Sequence, residues 1–186
     1  MAHNTMNAFD TLGLTARLTI RAEELADAFR EAGKSMHPDA GGDETEFARL
    51  REAHAILASP SRRLRHWLET RGIAVETRGT VDPRVMDLFS TVGEVSQRAE
   101  SLVRRRQETK TSLGLAMLES ETQRCREAVE RAIATVEAAI ATQCAVFPDY
   151  EAAESPDADA ASMSVRNLTF LEKWQASLRS LYARLV

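Results

Sequence analysis

The chain has 186 residues, 44% hydrophobic and 28% charged, which is the composition of one or two globular domains and not of a disordered chain. Glycine (8) and proline (5) are scarce while alanine, leucine, glutamate and arginine abound, so the fold is expected to be all-α. A net charge of −4 argues against bulk attraction to nucleic acid or to an anionic membrane.

Asn7 to Leu14 predicts a short first helix or turn with Phe9, Leu12 and Leu14 inward. Thr19, Glu23 and Glu24 mark a helix start, and Leu25, Ala28, Phe29, Ala32 and Met36 then repeat at spacings of three and four. Proline biases the residue before it out of the helical region, so this helix should stop near Met36. His37-Pro38-Asp39 follows, and Gly41-Gly42 let the chain turn back. A second stripe runs Phe47, Leu50, Ala53, His54 and Leu57. Ser59-Pro60 is a boundary, after which Arg63, Leu64, Trp67 and Leu68 continue as a helix up to Gly72. Facing stripes of this kind pack two helices on each other.

Residues 73–82 are polar and aperiodic and read as a linker or brace. Asp82 caps a helix with Pro83 in its first turn, and Val85, Leu88, Phe89, Val92, Ala99 and Leu102 form its stripe. The chain reverses between Thr109 and Ser120. Ser112-Leu113-Gly114 is one break point, and Ser120-Glu121-Thr122-Gln123, which looks like a capping box, is the other. A long helix then carries Cys125, Val129, Ile133, Val136, Ile140 and Cys144, with Pro148 as its stop. Residues 148–161 hold five acids, no bases and two prolines, which predicts a solvated, mobile loop. A last helix from Ser162 to Leu185 turns Val165, Leu168, Leu171, Leu178, Leu181 and Leu185 inward, completing a three-helix bundle. Cys125 and Cys144, on one helix, are too far apart to pair, and Trp67 and Trp174 read as packing residues.

His37 and Asp39 have no metal-ligand spacing with other residues and no nucleophile motif beside them. No catalytic residue, metal site or cofactor is therefore assigned. Together with Phe29, Arg30, the stripe from Phe47 to Leu57 and Arg62-Arg63, the tripeptide resembles the J-domain, by which co-chaperones stimulate ATPase chaperones of the DnaK/HscA class. Two further segments are similar to the HscB family of iron–sulfur co-chaperones. One runs from Pro60 to Gly72, with His66 where that family has tyrosine, and the other from Ser164 to Lys173. Thr80-Val81 ahead of the bundle fits the same pattern.

The resemblance implies a J-domain over 1–72, a linker over 73–82 and a client-binding bundle over 83–186. It implies docking on the ATPase chaperone through His37, Pro38 and Asp39 with Arg30 and Lys34. It further implies a scaffold client for iron–sulfur clusters, held by Leu88, Phe89, Val92, Glu100 and Phe170. Glu23, Glu24, Asp27 and Glu31 dilute the basic face of the first long helix, and Ala40 replaces a usual lysine. Gly93 and Ser96 stand where the family has acids, and packing alone would also place Leu88 and Val92 on the stripe. The expected protein is a cytoplasmic monomer without enzymatic activity that binds neither nucleic acid nor membrane. Arg104-Arg105-Arg106 circle their helix instead of lining one face.

Overall fold

The structure, a computed structural model, describes residues 7–36 and 43–186, and among them the only regular elements are helices. The chain divides into two compact units, one of residues 1–79 and 144–166 and the other of residues 80–143 and 167–186.

In unit 1, α1 (Ala8–Thr11) is a single turn secured at both ends. The Asn7 side chain accepts the Phe9 N–H, and Gly13, at φ 63°, lets the Leu14 N–H reach back to the Phe9 carbonyl at 2.9 Å. α2 (Ala22–Met36) and α3 (Glu44–Ala58) run antiparallel. Phe29 lies against His54 with ring centroids 4.6 Å apart, and one turn later Gly33 approaches Leu50, one turn earlier on α3. The Asp43 carboxylate caps α3 by accepting the Thr45 N–H at 2.6 Å, and this bond holds its pKa below the usual value. Ser59 caps α4 (Pro60–Glu69), with Pro60 in the first turn. Past the end of α4, Gly72 at φ 71° allows the Ile73 N–H to meet the Leu68 carbonyl at 3.0 Å. Leu25, Leu50, Ala53, Leu57, Leu64, Trp67 and Leu68 are buried as their spacing predicts.

Unit 2 is a three-helix bundle of α5 (Pro83–Glu108), α6 (Ser112–Cys144) and α8, which runs Ala158–Leu185 and enters this unit at Asn167. Its core unites Val85, Val92, Ala99, Leu102, Val129, Val136, Leu171, Leu178, Leu181 and Leu185. Ion pairs and hydrogen bonds set the register at the rim. Arg126 of α6 donates to the Leu185 carbonyl at 2.9 Å, Tyr182 to Glu130 at 2.6 Å, and Arg179 to Glu137 at 2.7 Å, an antiparallel sequence of contacts. Asp82, the N-cap of α5, and Phe89 on α5 meet Asn167 and Trp174 on α8 in the same order, so those two helices are parallel.

Two expectations change, and one left open between two break points is decided. The chain reverses at Thr109–Thr111, so Ser112 and not Ser120 opens α6. Thr109 turns extended there, the Thr111 hydroxyl accepts the Gly114 N–H at 3.1 Å, and a Cβ on Gly114 would fall 2.6 Å from Thr109. Thr122 is fully buried mid-helix, donating to the Leu118 carbonyl and accepting from Arg106, so the capping-box pattern is not used. Pro148 does not stop α6, which ends at Cys144. It sits in the first turn of α7 (Phe147–Ala152), where the missing N–H costs nothing.

Residues 148–161 are largely exposed, as expected, but they are not one loop. Pro156 and Ala161 are buried, α8 already begins at Ala158, and Phe147 just before the segment is 2% exposed with the Arg63 guanidinium over its ring. The Glu151 carboxylate accepts the Leu18 N–H, the Thr19 N–H at 3.1 Å and the Thr19 hydroxyl at 3.0 Å. An acidic composition here marks a carboxylate used as a backbone acceptor.

Candidate functional site

Two regions carry the residues singled out from the sequence. The first is the α2–α3 hairpin of unit 1. His37, Pro38 and Asp39 fall in its connection and lie outside the described residues. Arg30 and Lys34 are exposed on α2, and each is paired with an acid three residues earlier, Arg30 with Asp27 and Lys34 with Glu31 at 2.5 Å. Exposed pairs of this kind are worth about 0–1 kcal/mol, so they hold the two cations in place without removing them from competition for a partner's carboxylate. Elsewhere in unit 1, Trp67 donates its indole N–H to the Ala16 carbonyl at 3.3 Å, and Arg71 stacks on its ring at 3.6 Å.

His66 is buried in unit 1. Its Nε2 accepts the Ala8 N–H at 3.0 Å, and its ring lies on Phe9 with centroids 5.6 Å apart. Burial lowers its pKa below 6.5, opposed by the weaker attraction of Glu69 and Asp10 for a charged ring. The neutral imidazole is thus an orphan-donor cap for α1, a role a charged ring does not fill.

The second region is an aromatic ridge on unit 2. Phe89 of α5 is 58% exposed and Phe170 of α8 is 44% exposed. Half-buried Trp174 stands between them, 6.1 Å from Phe89 and 6.2 Å from Phe170 between ring centroids, both tilted. Met86, three residues before Phe89 and 50% exposed, extends the ridge along α5. Leu88 is partly buried against the core and Val92 lies in it, so these two supply the floor and not the exposed contact. Glu100 is exposed. Eleven residues after Phe89, at about 100° per residue, it returns to the same face of α5 about 16 Å along the axis. Between them Gly93 opens a gap, with nothing within 4 Å of a Cβ built there.

The structure therefore brings Phe89 and Phe170 together through Trp174. Sequence reasoning omitted Trp174 and Met86 as contacts. Their positions, four residues after Phe170 and three before Phe89, were the available signal. Contiguous exposed aromatics of this kind mark an interface and supply no chemistry of their own. Among the described residues, no group of three or more His, Cys, Asp or Glu side chains is placed to hold a metal ion. No helix among them is long and apolar enough to cross a membrane. Of the arginine triplet, Arg105 is tied to Glu121 at 2.7 Å and Arg106 to Thr122 at 2.9 Å.

No model of a known protein family matches the chain. Over 84 residues, 40% of its length, it is 30% identical to 48% of the co-chaperone protein HscB homolog of Shewanella frigidimarina. Over 60 residues, 32% of its length, it is 35% identical to 14% of the chaperone protein dnaJ A6 of Oryza sativa subsp. japonica. The chain thus spans less than half the length of either relative. The solved structure of the chaperone HscB from Vibrio cholerae superposes with a TM-score of 0.59, covering 97% of this chain and all of that one at 20% identity. The chain shares the fold of that HscB structure over the 97% it covers and resembles J-domain co-chaperones in sequence.

Proposed function

We propose that this HscB-like chain is a co-chaperone that stimulates ATP hydrolysis by a DnaK/HscA-class chaperone and delivers to it a scaffold protein for iron–sulfur cluster assembly or transfer. The observation that carries the reading is the combination of an HscB fold along the whole chain with His37-Pro38-Asp39 in the α2–α3 connection. In this reading Asp39 and His37 engage the ATPase while Arg30 and Lys34 exchange their weak partners Asp27 and Glu31 for acids on it. Hydrolysis is the partner's chemistry, and the chain itself is not an enzyme. The scaffold lies on the ridge of Phe89, Trp174 and Phe170, with Glu100 beyond it.

The test measures steady-state ATP hydrolysis by a DnaK/HscA-class chaperone. Wild type raises the rate and His37→Gln does not; equal rates would remove the ATPase half of the proposal. Capture of a cluster scaffold is lost in Phe170→Ala with helicity unchanged. Gly93 and Ser96, where the HscB family has acids, favour a second reading in which the same J-domain serves a different client. ATPase stimulation without scaffold capture by wild type selects that reading.

A further inference from the structure

A groove of about 470 Å³ opens between α5 and α6 of unit 2, a size that holds a few peptide side chains. Its floor is apolar: Leu102 is 1% exposed and Cys125 is 3% exposed. One lip is Met117, 77% exposed, and Leu113 one turn before it on α6 is 72% exposed. Large side chains standing this far out on a helix cost solubility and contribute nothing to the bundle core. The opposite walls carry two guanidinium groups, Arg98 and Arg124. Neither meets a carboxylate among the described residues, and Arg124 bonds only to Ser120, one turn back on its own helix. The acid in the wall, Glu121, is already engaged by Arg105 at 2.7 Å. The groove therefore presents an apolar floor and lip between two guanidinium groups that meet no carboxylate among the described residues, with Glu121 of the same wall turned to Arg105, on a chain whose net charge is −4.

We propose that this groove is a docking site for an acidic peptide segment carrying a large aliphatic side chain. The aliphatic group would cover Leu102 and Cys125 beneath Met117, and carboxylates on either side of it would pair with Arg98 and Arg124. Guanidinium groups suit this task because their planar fork binds a carboxylate through two parallel N–H bonds. The site is separate from the ridge of Phe89, Trp174 and Phe170, which lies between α5 and α8.

The test is fluorescence anisotropy of the full chain with a labelled eight-residue peptide of alternating glutamate and leucine, and with its lysine–leucine counterpart. Only the glutamate peptide binds, and its affinity falls as salt is raised. The double variant Arg98→Glu/Arg124→Glu weakens binding at least tenfold, and Met117→Ser weakens it several-fold. All three positions are exposed, so the variants keep the helical circular dichroism of the wild type. Equal binding of both peptides, or undiminished binding by the double variant, overturns the proposal. So does self-association of the wild type in sedimentation that the double variant abolishes, since a second copy would then be the occupant.

Discussion

Unit 1 adds to its apolar core polar bonds that reach across the sequence, whereas unit 2 closes on a continuous apolar stripe with ion pairs at its rim. In unit 1, Glu151 holds the backbone at Leu18 and Thr19, the Ser162 hydroxyl accepts the Glu76 N–H at 3.0 Å, and Arg166 donates to the Glu76 carbonyl at 2.7 Å. His66 does the same for Ala8. In unit 2 the corresponding work falls to Leu102, Val129, Val136, Leu171 and Leu178, and the charges stay outside. The difference is one of specificity. Directed bonds to backbone groups hold irregular segments that have no repeating face to bury. A periodic stripe relies less on such bonds, which in unit 2 fall at the rim and the helix ends, and it leaves side chains such as Phe89 and Phe170 exposed.

The comparison breaks first at Phe147. Phe147→Ala removes a fully enclosed ring and is expected to cost about 3–5 kcal/mol in urea unfolding. Phe89→Ala, at an exposed ridge position, is expected to stay within about 0.5 kcal/mol. Equal losses would show that unit 1 does not depend on residues 144–166.

Glu151→Ala strips the acceptor from two backbone N–H groups and a hydroxyl, with an expected loss of about 2 kcal/mol. Amide exchange at Leu18 and Thr19 should quicken more than exchange anywhere in α6.

His66 sharpens the contrast through pH. Its folded-state pKa is below the unfolded value of 6.5, so between the two the unfolded chain binds the extra proton. Its contribution to stability is fully present above pH 6.5 and is lost as pH falls through the folded pKa. His66→Gln keeps an acceptor for the Ala8 N–H without titrating. The difference between its unfolding free energy and that of wild type should therefore be flat above pH 6.5 and shift in favour of the variant below it. A difference independent of pH would mean that His66 is not the neutral cap of α1.

The smallest effect is at Gly93, where an added Cβ meets open space in the middle of α5. Gly93→Ala should stabilise the bundle by about 1 kcal/mol, read as a higher unfolding midpoint.

Much of the fold was legible because periodicity is a local property. Leu25, Leu50, Leu57, Leu64, Val85, Ala99, Val136, Leu171 and Leu185 are buried where their spacing puts them, and Asp82, Ser59, Pro60 and Pro83 act at the helix starts they announce. The segment 148–161 misled because acidity and proline content report the average cost of burying a segment. They do not report whether one carboxylate has backbone donors waiting for it 132 residues away. The α5–α6 reversal was ambiguous for a similar reason. Ser112 and Ser120 both resemble helix starts, and the choice went to the site where Gly114 lets Thr109 and Thr111 close the turn. At the ridge, Phe89 and Phe170 were recognisable singly, but that Trp174 joins them depends on the parallel register of α5 and α8.

By itself, then, the sequence determined most of the helices, many of their buried faces and the placing of His37-Pro38-Asp39 between the second and third of them, since these follow from spacing and backbone chemistry within a few turns. Only the tertiary structure decided that residues 144–166 complete the N-terminal unit, that Val92 is floor while Phe89 is surface, and that Arg98 and Arg124 line one groove whose acid, Glu121, pairs with Arg105. Each of those depends on which helix stands opposite, and a one-dimensional pattern of apolar residues marks a buried face without naming the surface that covers it.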